Sequence, residues 1–92
     1  MADMEHAMAI TEKLYACRRA ARTLLGTKFD ARMREFGHAI REVAAKRNTT
    51  ELKAAIALGQ AAQDDGNDFL FLEVMAAYVE LAEPSTREAA HA

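Results

Sequence analysis

The sequence predicts an all-α fold: a small four-helix domain in which a long antiparallel helical hairpin, about residues 3–25 and 28–47, packs with two shorter helices, about 51–63 and 68–82. Three observations carry this expectation. The composition, 51% apolar with abundant Ala and a single proline at position 84, favours helix throughout and supplies enough apolar side chains for a core. Apolar residues recur every three or four positions in four stretches, separated at Gly26, at Asn48-Thr49-Thr50 and at Asp64-Asp65-Gly66-Asn67. The last stretch, Asp68 to Ala82, holds only Glu73 and Glu80 as charged residues after its opening Asp. At 100° per residue its apolar side chains fill an arc of roughly 200°, about twice what an ordinary surface helix shows. Such a helix needs cover on more than one side and is expected to be the centre of the domain, with part of its arc completed either by a second stripe of the first helix or, the favoured expectation, by another chain.

In the first segment Ile10, Leu14, Cys17, Ala21 and Leu24 repeat at spacings of 4, 3, 4 and 3, a heptad-like seam. Asp3 suits its N-cap, and Gly26 suits the left-handed residue just past its end. Thr27 with Asp30 then offers a weak capping box for the second segment. There Phe29, Met33, Phe36, Ile40 and Val43 repeat with the same spacings. Two long helices with one seam each and a tight connection are expected to pair antiparallel. Asn48 suits a left-handed exit, and Thr49 or Thr50 caps the third segment. That segment carries a thin stripe, Leu52, Ala55, Ile56, Gly59 and Ala62, whose small members let a neighbour approach closely. Asp68 is read as the cap of the fourth segment and Pro84 as its terminator. Residues 1–83 are expected to form one domain and residues 84–92 a disordered tail without a periodic apolar face.

No run approaches the ~20 apolar residues that span a bilayer, and the N-terminus has no basic and apolar leader. The lone Cys17 excludes an internal disulfide framework. The expectation is a soluble, cytoplasmic protein. Net charge is −2, but its distribution is uneven: through Asn48 there are ten basic residues against six acidic, and beyond it two against eight. Either the two halves lie against each other and complement one another, or a basic face is left for an acidic partner.

Catalytic and metal-binding patterns fail on spacing. Glu35 and His38 make one Glu-x-x-His pair, where a carboxylate-bridged di-iron site needs two such pairs and two further Glu. Both fall away from the Phe36/Ile40 seam, so His38 is expected to pair with Glu42 on the surface. The acidic turn around Gly66 lacks the ligand register of a calcium loop. Cys17 on its seam reads as a small hydrophobe. No phosphate-cradling glycine motif is present. The sequence therefore points to no enzyme, no cofactor, no metal and no small-molecule substrate.

Two features suggest a binding surface. Opposite the first seam, Met4, Met8, Thr11 and Tyr15 align at spacings of 4, 3 and 4, a second apolar stripe that is either packed inward or left for a partner. Just beyond it lie Arg18, Arg19 and Arg22. Arg18 and Arg22 are like-charged neighbours with no acidic residue four positions away to relieve them. The leading expectation is a non-enzymatic protein–protein interaction module, an adaptor or a small inhibitor of the style phages and mobile elements use, binding a host protein or a second copy as a homodimer. Its contacts would be Met4, Met8, Tyr15, Arg18, Arg19 and Arg22. The competing expectation is a nucleic-acid-associated protein using Arg18, Arg19, Arg22, Arg34 and Arg41. A sequence-reading helix-turn-helix is disfavoured, because the helix after Thr50 is Ala-rich with only Lys53 near its start.

Overall fold

The computed structural model describes residues 2–83, and side chains from residue 12 onward. Among these residues the chain is helical apart from short turns, with no strand. Helix α1 covers Ala2–Leu25 and runs through one turn of 3₁₀ helix, Gly26–Lys28, into α2, Phe29–Arg47. Helices α3, Glu51–Asp64, and α4, Asp68–Ala82, follow. The expected tail, and Pro84 as terminator, lie outside the described residues.

The junctions form where local chemistry demands them. Gly26 takes φ +54° and ends α1, a conformation that costs a residue with a Cβ. Asn48 adopts the left-handed region at φ 51°, and its N–H bonds back to Ala44 and Ala45. The Thr50 side chain accepts from the Lys53 N–H at 3.1 Å and starts α3. Three expected caps differ. Asp3 is the second residue of α1 rather than its N-cap. No side chain caps α2, so the Thr27–Asp30 box is not made. At α4 the cap is Asn67, whose side chain accepts from the Leu70 N–H at 3.0 Å, and Asp68 is the first helical residue. Asp68 there still places its negative charge at the positive end of the helix dipole.

The antiparallel pairing expected of the first two helices is not supported. Helices α1 and α2 make little contact with each other, and both pack mainly on α4, which also receives α3. The reason lies in α4 itself. Its buried residues, Glu73, Val74, Met75, Ala76, Ala77 and Val79, go most of the way round the helix. A helix apolar on nearly every side is a better partner for either seam than the seams are for each other. No residue between Leu70 and Leu81 is exposed. The wide arc of α4 is thus covered by the chain's own helices.

The seams also settle slightly differently from a strict heptad. On α1 the core side is Leu14, Cys17, Ala21 and Leu25, while Leu24 is 64% exposed. A straight α-helix drifts by about 20° per heptad, so four residues beyond Ala21 reaches the core better than three. On α2 the deepest positions are Phe29, Met33, Gly37, Ile40 and Ala44, with Phe36 and Val43 flanking them. Helix α3 shows the largest departure. It turns Ala54, Ala55, Gly59 and Ala62 inward and leaves Leu52 and Ile56 exposed. A Cβ on Gly59 would stand 2.9 Å from the Met75 methyl and 3.1 Å from the Phe71 ring. Close approach of α3 to α4 through small residues rotates the larger ones out.

Candidate interaction surface

The charged side chains around α4 decide which groups are left to meet a partner. Four arginines of the basic half, Arg18, Arg22, Arg32 and Arg41, reach carboxylates of the acidic half across the fold. Arg18 Nη1 lies 3.0 Å from Glu80 Oε2, and donates at 2.7 Å to the Glu83 carbonyl at the end of α4. Arg22 approaches the same Glu80 at 3.8 Å and stacks over the Phe29 ring, 4.7 Å from its centroid. The like-charge cost of Arg18 beside Arg22 is therefore offset by a carboxylate 62 residues from Arg18 in the chain. A cation at the C-terminal end of a helix also complements its dipole. Tyr15 donates its hydroxyl to Glu83 Oε2 and lies under the Arg18 guanidinium. On α3, Glu51 pairs with Arg41 at 3.4 Å.

The fourth cross-fold pair is buried. Glu73, 1% exposed in the middle of α4, accepts from Arg32 Nε at 2.7 Å and from Nη2 at 3.0 Å. This two-pronged geometry matches the flat guanidinium to the carboxylate. Arg32 also stacks over Phe36 and lies 3.7 Å from Glu35. The hydrogen bond to Glu73 pushes the Arg32 pKa above its ordinary value, against the opposing effect of desolvation. No buried side-chain nitrogen or oxygen lacks a partner among the described residues. The uneven charge of the two halves thus serves the fold, with basic α1 and α2 set against acidic α4 and the start of α3.

The sequence-derived site residues separate accordingly. Met4, Met8 and Thr11 lie outside the residues whose side chains are described. Tyr15, Arg18 and Arg22 are held by the end of α4. Arg19 is exposed, and neither it nor Arg34 makes an ion pair among the described residues. His38 is solvent-facing and stands 3.4 Å from Glu42, the surface pair its spacing predicts. Cys17 is half-buried, and burial pushes its thiol pKa up, which disfavours the reactive thiolate. Among the described residues no three His, Cys, Asp or Glu side chains stand close enough to hold a metal ion.

Sequence reasoning passed over two features. Leu52 and Ile56, 39% and 52% exposed, stand one turn apart on the outer face of α3. They are the one pair of large exposed apolar side chains on successive turns of a helix among the described residues. The signal was present in the excess of Ala and Gly over large residues on the rest of α3, which gives a neighbour a closer surface than Leu52 and Ile56 do. The second is a groove between α2 and the end of α4, with about 360 Å³ of space, floored by Met33, Gly37 and Leu81. Nothing local in the sequence brings Leu81 to Gly37.

No helix among the described residues is long and apolar enough to cross a membrane. No family model matches the chain, and neither a curated protein nor a solved structure shows significant similarity to it.

Proposed function

We propose that this chain is a non-enzymatic protein–protein interaction module, an adaptor or small inhibitor that acts by covering a partner's surface, and that it self-associates as a homodimer. The observation that carries the reading is the exposure of Leu52 and Ile56 on a helix whose inner face is already satisfied by small residues. Large apolar side chains left outside a complete core favour association, because contact removes them from water at little structural cost. Leu24 and Phe69, also exposed, add apolar surface elsewhere. On α1 the proposed contacts are Met4, Met8 and Arg19. Tyr15, Arg18 and Arg22 take part through their outer edges, since their polar groups are engaged with Glu80 and Glu83.

Light scattering at increasing protein concentration tests this. A mass approaching twice that of the chain is expected, and Leu52→Asp with Ile56→Asp should return it to that of one chain while helicity and melting stay near wild type. A single-chain mass at every concentration removes the homodimer. A doubled mass that persists in the double variant removes α3 as the surface.

Nucleic-acid association is the competing reading, and Arg19 and Arg34 are the members of its arginine set that make no ion pair among the described residues. Phosphate binding would have to draw Arg18, Arg22 and Arg41 away from Glu80 and Glu51. That competition favours the protein-binding reading.

A further inference from the structure

We propose that α1 is an exchangeable helix: two chains that fold together each lay α1 on the other's α4, with the Gly26–Lys28 turn as the hinge. The partner is a second copy of this chain. The dimer so formed does not need Leu52 or Ile56, and so goes beyond the α3 surface proposed above. Helix α1 makes little contact with α2, its neighbour in the chain, and packs chiefly on α4. Leu14, Cys17, Ala21 and Leu25 give it an apolar side, and its polar groups close on one end of α4. Arg18 and Arg22 meet Glu80, and Tyr15 and Arg18 meet Glu83. These contacts join α1 to α4, so they can be made equally well to the α4 of another chain. Exchange of an identical element between copies is a low-cost route to a dimer for that reason.

The hinge is one residue from being straight. Between α1 and α2 only Gly26 has a positive φ, +54°, while Leu25, Lys28 and Phe29 are right-handed helical. Turning Gly26 into the helical region joins α1 and α2 in one uninterrupted helix, and α1 then points away from its own α4. The turn has room to change. A Cβ on Gly26 would meet nothing within 4 Å, and an open cleft of about 200 Å³ lies at the elbow between Arg22, Thr27, Phe29 and Asp30. In a two-fold dimer the straightened elbows meet near the axis. Leu24, 64% exposed two residues ahead of Gly26, is the apolar side chain that this contact covers. Glycine takes the bent form without strain, and association costs freedom of motion, so low concentration favours the single chain. Because α4 is buried on nearly every side, α1 leaves it only as the chain unfolds. The choice between a chain's own α1 and another's is therefore made during folding, and a folded single chain stays complete.

The test is refolding from urea at high and at low concentration, followed by light scattering after dilution. Leu52→Asp and Ile56→Asp are kept in place so that α3 contributes nothing. Refolding at high concentration is expected to give a doubled mass that persists on dilution, because return to single chains requires unfolding. Alanine at position 26 disfavours the left-handed bend and favours the straight helix. Gly26→Ala should therefore shift the balance toward the dimer by about tenfold or more per chain. Gly26→Asn, which tolerates the bend, should stay closer to wild type. Single chains from every refolding, a doubled mass that halves at once on dilution, or a dimer fraction in Gly26→Ala no higher than in Gly26→Asn each overturn the proposal. A charge-exchanged pair of chains identifies α1 as the element exchanged. Arg18→Glu with Arg22→Glu in one chain, and Glu80→Arg in the other, leave each α1 facing like charge on its own α4. In a mixed exchanged dimer every α1 faces opposite charge instead. Refolding the two together should give predominantly the mixed dimer, even where either chain alone folds poorly. A mixed dimer at no more than its statistical share overturns the proposal. The homodimer of the proposed function is tested by a mass lost with Leu52 and Ile56, and exchange is tested without those residues, so either result can fail alone.

Discussion

Replacing Val79 with aspartate is expected to unfold the chain, whereas the same replacement at Ile56 leaves it folded. Both residues are apolar and both lie on the shorter helices of the domain. Val79 is 3% exposed on α4, while Ile56 is 52% exposed on α3. A carboxylate at position 79 would sit among α4's covering helices with no cation provided for it, and burial of an unpaired charge belongs to the small class of substitutions that cost about 4 kcal/mol or more. Domains of this size have total stabilities near the low end of about 5–15 kcal/mol. Far-UV circular dichroism and a urea titration should therefore find Val79→Asp largely unfolded in dilute solution. Ile56→Asp should stay within about 0.5 kcal/mol of wild type, as surface changes do. Had the outer arc of α4 been a partner surface, Val79→Asp would fold normally and lose only association.

The second large effect concerns Arg32 and Glu73. Removing one partner of a buried ion pair costs about 3–5 kcal/mol because the other charge is left without compensation. Glu73 is the buried member, and Arg32 opens to solvent with 37% of its side chain exposed. The two single variants should therefore differ. Arg32→Met strands a carboxylate inside the core and is expected to cost about 3 kcal/mol. Glu73→Leu leaves a guanidinium that still reaches water, the Phe36 ring and Glu35. Its cost should be clearly smaller. In the double variant Arg32→Met with Glu73→Leu, an apolar pair of similar volume should recover most of the loss, as replaced buried pairs often do. Chemical denaturation of the four proteins measures the coupling directly. Equal costs for both single variants, with no recovery in the double, would show that the pair contributes packing rather than charge compensation.

Helix boundaries were legible in the sequence because they depend on neighbouring residues. Gly26, Asn48 and Thr50 each perform the role their chemistry suggests, and the ends of all the helical segments fall within a residue of their expected places. The central place of Asp68–Ala82 was legible too, since few alternatives exist for a helix with so little polar surface. What a seam cannot state is its partner. The stripes on α1 and α2 fit each other as well as they fit α4, and only the all-round apolar character of α4 decides the matter. Rotation about the helix axis was the next loss. Leu24, Leu52 and Ile56 were read as inward by periodicity, and drift from the heptad and the close approach at Gly59 turn them out.

The arginines illustrate the same limit at the level of the site. Arg18 and Arg22 look unrelieved within their own helix, and the carboxylate that relieves them lies on α4. Glu73 looks like one of two polar interruptions in an apolar run, yet it is the most deeply buried charged residue among those described. Long-range pairing separates a structural cation from one available to a ligand. Arg34, which carries no mark in the sequence to distinguish it from Arg41, gains its interest only after the others are assigned.

The central claim is that the middle of α4, from Leu70 to Leu81, is covered within one chain, so that any partner meets an already complete fold. Native-state hydrogen exchange, at a concentration where light scattering finds single chains, tests it most directly. The amides from Val74 to Val79 should exchange only through global unfolding, with a free energy equal to that from urea denaturation under the same conditions. Amides in that stretch that exchange well below the global free energy, and gain protection only as concentration rises, would contradict it by showing that a second chain completes the core.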